Sequence, residues 1–450
     1  MPTRVRWHAR WVVPVASPPI EQGTVVTEDD RIVWVGPRAT APAGGRDEEL
    51  GDAFLTPGLV NAHTHLDLTM MRGFIEDLPF FDWVRTLTRA TREALQREDF
   101  VDAAMLGIAE GLASGVTTFG DTAPSDAAFD AMLRMGVRGI AYREVFGPDP
   151  KQCDESIALL RDQVAAMRPR TTPLVRIGIS PHAPYSVSDA LFAAVARLAT
   201  EEMLPVAVHI AEGKDEQALV TRAEGPFAAF LHSRDIPVVP RGDHPVQLLE
   251  RAGLLRAGTL LIHCVRVSES TVAAIAAAGC GVAHCPASNA RLGHGVAPLT
   301  DFLKAGARIG LGSDSMASND RMDLLEEARL ASHGQRVRLR SADAVHARAA
   351  FRLATLGGAE ALRCDVETGA LEVGKQADLA VFAMPSHGGP VTNPYVALVF
   401  GPRPVTTRVI VAGVERVRDG TVLDFDAAIA GRVQDASARL RRWRATQHLG

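Results

Sequence analysis

Cysteine is scarce and unpatterned in this chain. The five present, Cys153, Cys264, Cys280, Cys285 and Cys364, are odd in number, and none forms a Cys-X-X-Cys pair. That argues against a disulfide framework and against a structural zinc knuckle, and it fits a reducing compartment. No uninterrupted apolar run reaches membrane-spanning length, and the opening Met-Pro-Thr-Arg-Val-Arg-Trp-His holds no apolar signal core. A cytoplasmic location without a membrane partner is therefore expected. Low-complexity tracts are missing. So is an excess of positive charge: 48 Lys and Arg stand against 53 Asp and Glu, a net charge of -5. Nothing in that balance attracts nucleic acid or an anionic surface. No Gly-X-Gly-X-X-Gly follows the first apolar strand, which lowers the case for an open dinucleotide-binding sheet.

What is present is enough apolar sequence for a large core. At 450 residues and 47% hydrophobic composition, one large domain and a smaller companion are expected. Residues 1–54 read as short alternating strands separated by Pro, Gly and Ala turns. From residue 55 the pattern changes to short apolar runs alternating with helical stretches. Gly often stands just past the helix, as in Met135-Gly136 and Ala278-Gly279. Eight such units, with strands placed at 55–66, 116–123, 138–147, 175–183, 205–212, 259–265, 279–286 and 308–315, predict a (β/α)8 TIM barrel over 55–364. After 365 the sequence turns β-like again. The segments 1–54 and 365–423 are expected to pair into one small β-sandwich, because neither can bury its apolar face alone. Residues 424–450 read as a C-terminal helix.

Histidines gather at the predicted strand ends. His63-Thr64-His65 closes the apolar run that starts at Leu55. Side chains alternate along a strand, so both imidazoles face the same way and can grip one divalent metal. In a barrel of this kind the chemistry sits at the C-terminal strand ends. There stand His182 (strand four), His209 and Glu212 (strand five), His263 (strand six) and Asp314 (strand eight). His63, His65, His209 and Asp314 make a set of the size a catalytic divalent ion needs. Glu212, three residues past His209, is the general acid/base candidate. His263 can hydrogen-bond an attacking hydroxide, and Asp314 can take its proton. Other readings stay open. Ser-Asp314-Ser is also helix-capping chemistry. His182, between two prolines, also suits a loop tether, and His284 reads as structural. No Lys ends strand four, so a second metal bridged by a carbamylated Lys is not indicated. Zinc fits this donor set, and iron or manganese fits almost as well.

These residues resemble the amidohydrolase superfamily, in its nucleobase-deaminase and chlorohydrolase branch. The resemblance runs through Pro57-Gly-Leu-Val-Asn-Ala-His63-Thr-His65, His209-Ile-Ala-Glu212, Asp314 and Gly374-Lys-Gln-Ala-Asp-Leu. It implies the same metal ligands, proton transfer by Glu212 with His263, and a homo-oligomer, often a homodimer. Within the branch, Ile179–Ser188, Gly225–Leu231 and His284–Leu299 are similar to aminodeoxyfutalosine deaminases. Those enzymes convert the 6-amino group of an adenine nucleoside carrying a benzoate to a carbonyl, in menaquinone synthesis. The runner-up is a methylthioadenosine/S-adenosylhomocysteine deaminase, whose first lid loop Met70–Pro79 resembles. Those enzymes carry a Trp-Pro-X-Glu whose Glu holds the ribose hydroxyls, whereas the stretch here is Leu87-Thr-Arg-Ala-Thr-Arg92, with no carboxylate. Gly213 and Ala287 also depart from the closer family, which has Ser and Arg there.

The chemistry expected is hydrolytic deamination. Hydroxide adds to the amidine-like carbon bearing the amino group, Glu212 protonates the adjacent ring nitrogen, and ammonia leaves. His182 is expected on the purine or ribose. Arg85, Arg89 and Arg92, spaced i, i+4, i+7, share a helix face. That stripe is either a solvated face or, through Arg89, a bidentate clamp for a substrate carboxylate. Other amino- or chloro-heterocycle hydrolases would use the same ligands, and a non-catalytic barrel scaffold is the alternative from a different class.

Overall fold

The computed structural model describes residues 3–387 and 389–447; residues 1–2, 388 and 448–450 of the expected segments lie outside the described residues. Eight strands run parallel and pair in chain order: Leu59–His65, Val116–Ala123, Arg138–Val145, Val175–Pro181, Val206–Ile210, Thr259–His263, Gly281–His284 and Arg308–Leu311. The expected barrel is present. It closes through a short continuation of the eighth strand, Asp314–Ser315, where Asp314 lies opposite Thr64 and Ser315 opposite His65. Every residue of Val116–Ala123, Val206–Ile210 and Thr259–His263 is buried, as parallel strands covered on both faces require.

Between the strands lie helices, two of which have a Gly just past their end, as the sequence predicts, and two of which start at a Ser. Ala127–Met135 stops at Gly136, whose φ of 60° is left-handed. Asp189–Glu201 and Glu269–Ala277 start at Ser188 and Ser268, whose hydroxyls accept from the backbone N–H groups of Leu191 and Thr271.

The terminal segments form one mixed sheet of nine strands. Its central strand is Ala53–Pro57, which pairs parallel with Arg4–Val12 and antiparallel with Leu379–Ala383. The barrel therefore begins at Leu59 and not at 55. Thr56-Pro57-Gly58 splits the apolar run into one strand of each sheet. At the crossing a Cβ on Gly58 would lie 2.2 Å from Thr117 Oγ1, so only Gly passes. Strand alternation divides this sheet between two cores. Phe54, Ala380, Phe382 and Val409 pack into the barrel's helical layer. Ala53, Leu55, Leu379, Val381 and Ile410 turn the other way, onto Trp7, Val25 and Ile32.

The last helix, Ala428–Gln447, lays Ile429, Val433, Ala436 and Leu440 against Leu68, Met70, Met71 and Ala103 beside the barrel mouth. Among the described residues no helix is long and apolar enough to cross a membrane.

One buried ion pair joins the two sheets. Arg138, at the start of the third barrel strand, donates through Nε to Asp378 Oδ2 at 2.7 Å, and both side chains are buried. Asp378 Oδ1 also accepts from Ala412 N at 2.7 Å. Replacing Asp378 by Ala would strand a buried guanidinium at a cost of about 3–5 kcal/mol. The expected result is a clearly lowered thermal midpoint for D378A. A double variant that also carries R138M should recover much of the loss. Equal destabilisation of the single and double variants would contradict a pairwise origin.

Candidate metal centre and active-site cavity

Three strand ends bring the predicted ligands together. His63 Nε2 lies 3.3 Å from Asp314 Oδ1, and His65 Nε2 lies 3.6 Å from the same oxygen. His65 Nε2 and His209 Nε2 are 3.3 Å apart. Burial holds all three imidazoles below the ordinary histidine range, His65 at about 3, so each is neutral at pH 7. The surrounding imidazoles, His63 first, hold the Asp314 carboxyl well below the usual carboxylate range despite its burial.

Three neutral imidazoles and one carboxylate thus converge on one buried space. Both ring nitrogens of His63 are buried, and among the described residues neither makes a well-aligned hydrogen bond, Nε2 having only the 3.3 Å approach to Asp314. Such a group is costly unless something else fills it. A divalent cation does. Ligands about 2.0–2.1 Å from a tetrahedral zinc stand about 3.3–3.4 Å apart, close to the separations seen here. The donor set therefore fits a divalent metal ion.

Orientation comes from neighbouring groups. His209 Nδ1 lies 3.1 Å from the carbonyl of His182, to which it donates, leaving Nε2 free as a ligand. Asp314 Oδ2 accepts from Ser288 Oγ at 2.6 Å, and Oδ1 accepts from Ser315 N at 2.7 Å. Ala211, His263 and Asp314 all have left-handed backbone, with φ of 53°, 74° and 58°. Non-glycine residues pay for that conformation, and here it occurs at three strand ends that aim side chains into one space.

Glu212 stands beside the metal ligands on the fifth-strand side. Its Oε1 is 3.5 Å from His263 Nε2 and 3.2 Å from His294 Nε2. These imidazoles, His263 foremost, keep its carboxyl below the usual range in spite of full burial. His263 Nδ1 donates to Asn289 Oδ1 at 3.0 Å, which turns Nε2 toward Glu212 and, at 3.9 Å, Asp314. The Glu216 carboxylate accepts from the backbone N–H groups of Ala211 and Glu212, each at 2.8 Å, and fixes the turn that presents Glu212. Sequence reading missed Glu216 and His294. The i+4 relation of Glu216 to Glu212 at a helix start was a usable signal. His294 was not legible, because the loop that returns it has no periodicity.

Above the ligands opens a cavity of about 500 Å³. His65, His182, His209, Glu212, His263 and Asp314 line its floor, and Trp83, Leu87, Leu95, Phe100 and Phe146 form much of its outer wall. His182 is held by Ser186 Oγ at 2.7 Å and lies against Phe146, with ring centres 4.9 Å apart. His284 is buried but is not among the converging ligand groups.

Arg89 is not in this cavity. It stacks over Trp443, pairs with Glu93 at 3.3 Å and donates to Gln447 at 2.8 Å. Arg85 stacks over Phe81 and Phe230. The helix Phe80–Ala94 turns Phe80, Val84, Leu87, Thr88 and Thr91 inward, so the arginine stripe is its flank. Arg92 alone of the three reaches the cavity rim. The carboxylate-clamp expectation at Arg89 is corrected on that geometry.

Residues 54–416 match the model of the Amidohydrolase family. The chain belongs to the amidohydrolase family. It is 32% identical over 426 residues to the 5-methylthioadenosine/S-adenosylhomocysteine deaminase of Moorella thermoacetica, covering 92% of this chain and 94% of that protein. Its backbone is similar to that of an adenosine deaminase from Xanthomonas campestris with bound zinc (TM-score 0.86, 28% identity, 98% and 99% coverage). It also shares its fold with the aminofutalosine deaminase of Helicobacter pylori (TM-score 0.79, 21% identity, 91% and 99% coverage). A divalent metal belongs in this amidohydrolase. Purified protein should hold about one equivalent by elemental analysis, and His209→Ala or Asp314→Ala should leave it substoichiometric. Full metal retention in both variants would contradict the assignment of the ligands.

Proposed function

We propose that this amidohydrolase deaminates an adenine nucleoside at the 6-position, and that its substrate carries an extended 5′ substituent ending in a carboxylate, as aminodeoxyfutalosine does. When bound, the metal ion supplies a water of lowered pKa as the nucleophile. Glu212, ionised before substrate binds, would take the first proton from that water and deliver it to the ring nitrogen beside the reacting carbon, which makes that carbon electrophilic. His263, oriented by Asn289, and Asp314 would orient the attacking oxygen, and Asp314 would take its second proton and pass it to the amino group. That group then leaves the tetrahedral carbon as ammonia. His63, His65 and His209 complete the ligand set, and His182, packed against Phe146, faces the purine.

The observation that carries the substrate reading is the outer cavity. Trp83, Leu87, Phe100 and Phe146 make an apolar channel, and Arg92 stands exposed at its rim. Arg92 has no ion-pair partner among the described residues. An aromatic acid matches that sequence of surfaces: ring against the apolar wall, carboxylate on the guanidinium.

A second reading, methylthioadenosine/S-adenosylhomocysteine deamination, is favoured by the name of the Moorella thermoacetica relative and its near-complete coverage. Deamination rates on aminodeoxyfutalosine, S-adenosylhomocysteine and methylthioadenosine decide between them. The proposal expects the first to be fastest. Arg92→Ala should lower kcat/KM for the benzoate-bearing nucleoside by about 10- to 100-fold and leave methylthioadenosine, which has no carboxylate, nearly unchanged. Equal losses on both would contradict the role of Arg92. Glu212→Gln should lower kcat by about 10²–10⁴-fold while the metal content stays that of the wild type.

A further inference from the structure

One carboxyl group in the cavity has no task in the chemistry above. Glu144 ends the third barrel strand, lines the cavity and is 6% exposed. Its Oε1 is buried with no hydrogen-bond partner among the described residues. Strand alternation sends the neighbouring cation elsewhere: Arg143 donates to Gln163 Oε1 at 3.1 Å and to the Ala123 carbonyl at 3.5 Å. A carboxylate oxygen of Glu144 lies within 4.8 Å of ring nitrogens of His182 and His209, so it borders the place where the purine must lie. Asp67, also buried beneath the cavity, has both oxygens without partners. Burial first, and then Asp67, hold the Glu144 carboxyl well above the usual carboxylate range, and no group among the described residues partners its Oε1. Burying such a group costs free energy unless a ligand completes it.

We infer that Glu144 is the anchor for the vicinal ribose hydroxyls of the nucleoside. This rests on the proposed function above. Beyond its amino group, which must face the metal ligands, an adenine nucleoside has few donors, and the 2′ and 3′ hydroxyls are two of them on one edge. The two oxygens of a single carboxyl group can hydrogen-bond both. The helix Phe80–Ala94, where a carboxylate for that task is missing, offers only Thr88, Thr91 and Arg92 as polar groups on the cavity side. Glu144 is the buried acceptor on the adjoining wall. With the sugar held there, the 5′ substituent leaves along Phe146 and Phe100 toward the rim.

The test compares adenosine with 2′,3′-dideoxyadenosine in the metal-loaded wild type, E144Q and E144A, with metal content measured for each. The expected wild-type preference for adenosine in kcat/KM is about 10-fold, the scale of two hydrogen bonds to an uncharged group. In E144A that preference should collapse to near unity through loss on adenosine alone, with dideoxyadenosine turnover and the single equivalent of metal retained. E144Q, which keeps one acceptor, should fall between. Equal loss on both nucleosides would assign Glu144 a structural role and overturn the inference. So would a second metal equivalent that E144A removes, or a wild type indifferent to the hydroxyls. Each of these leaves deamination standing. A wild type that turns over no adenine nucleoside overturns the proposed function as well.

Discussion

The closure of the barrel is the constraint on which the site depends. The eighth strand reaches the first only through Asp314–Ser315, and that contact sets Asp314 against both His63 and His65. Without closure, the two histidines would share a face with no counter-charge. With it, a carboxylate held ionised and three imidazoles held neutral meet in a buried space. That combination suits a cation that shares the electron pairs, so metal binding adds to the stability of the fold. The left-handed backbone at Asp314 is part of the solution, because a regular strand would carry its side chain past the ligands.

Around that centre the molecule divides its labour by strand. Strands one, five and eight hold the ligands. The turn after strand five, pinned by Glu216, presents Glu212, and strand six presents His263. Strands three and four supply Glu144 and His182, which face substrate and not metal in the reading given above. The helix Phe80–Ala94 closes the outer wall and is itself braced by the C-terminal helix through Trp443 and Arg89. The arginine expected to touch substrate therefore serves as a brace, and its neighbour Arg92 faces the ligand space.

Much of the centre was legible in the sequence because it obeys period-two arithmetic. His63 and His65 share a face whatever follows, and short apolar runs alternating with Gly-ended helical stretches place the strands without a structure. Helix ends followed from glycine, as where Gly136 stops Ala127–Met135. What could not be read depends on three-dimensional return. His294 and Asn289 sit in an irregular loop and reach Glu212 and His263 only through the folded chain. Helical periodicity placed Arg85, Arg89 and Arg92 on one face but not which face meets the cavity. That is decided by the packing of Phe80 against Tyr185 and Phe227. The split of Leu55–His65 into strands of two different sheets was hidden as well, since both halves are equally apolar.

The central claim is that His63, His65, His209 and Asp314 bind one divalent ion that organises the cavity. The most direct measurement is a crystal structure of the protein as purified, with anomalous data at the absorption edge of the bound metal. The account predicts one anomalous peak, at about 2.0–2.2 Å from the Nε2 atoms of the three histidines and a carboxylate oxygen of Asp314. A peak centred on Glu144 and His182, or none at all in protein that deaminates, would contradict it.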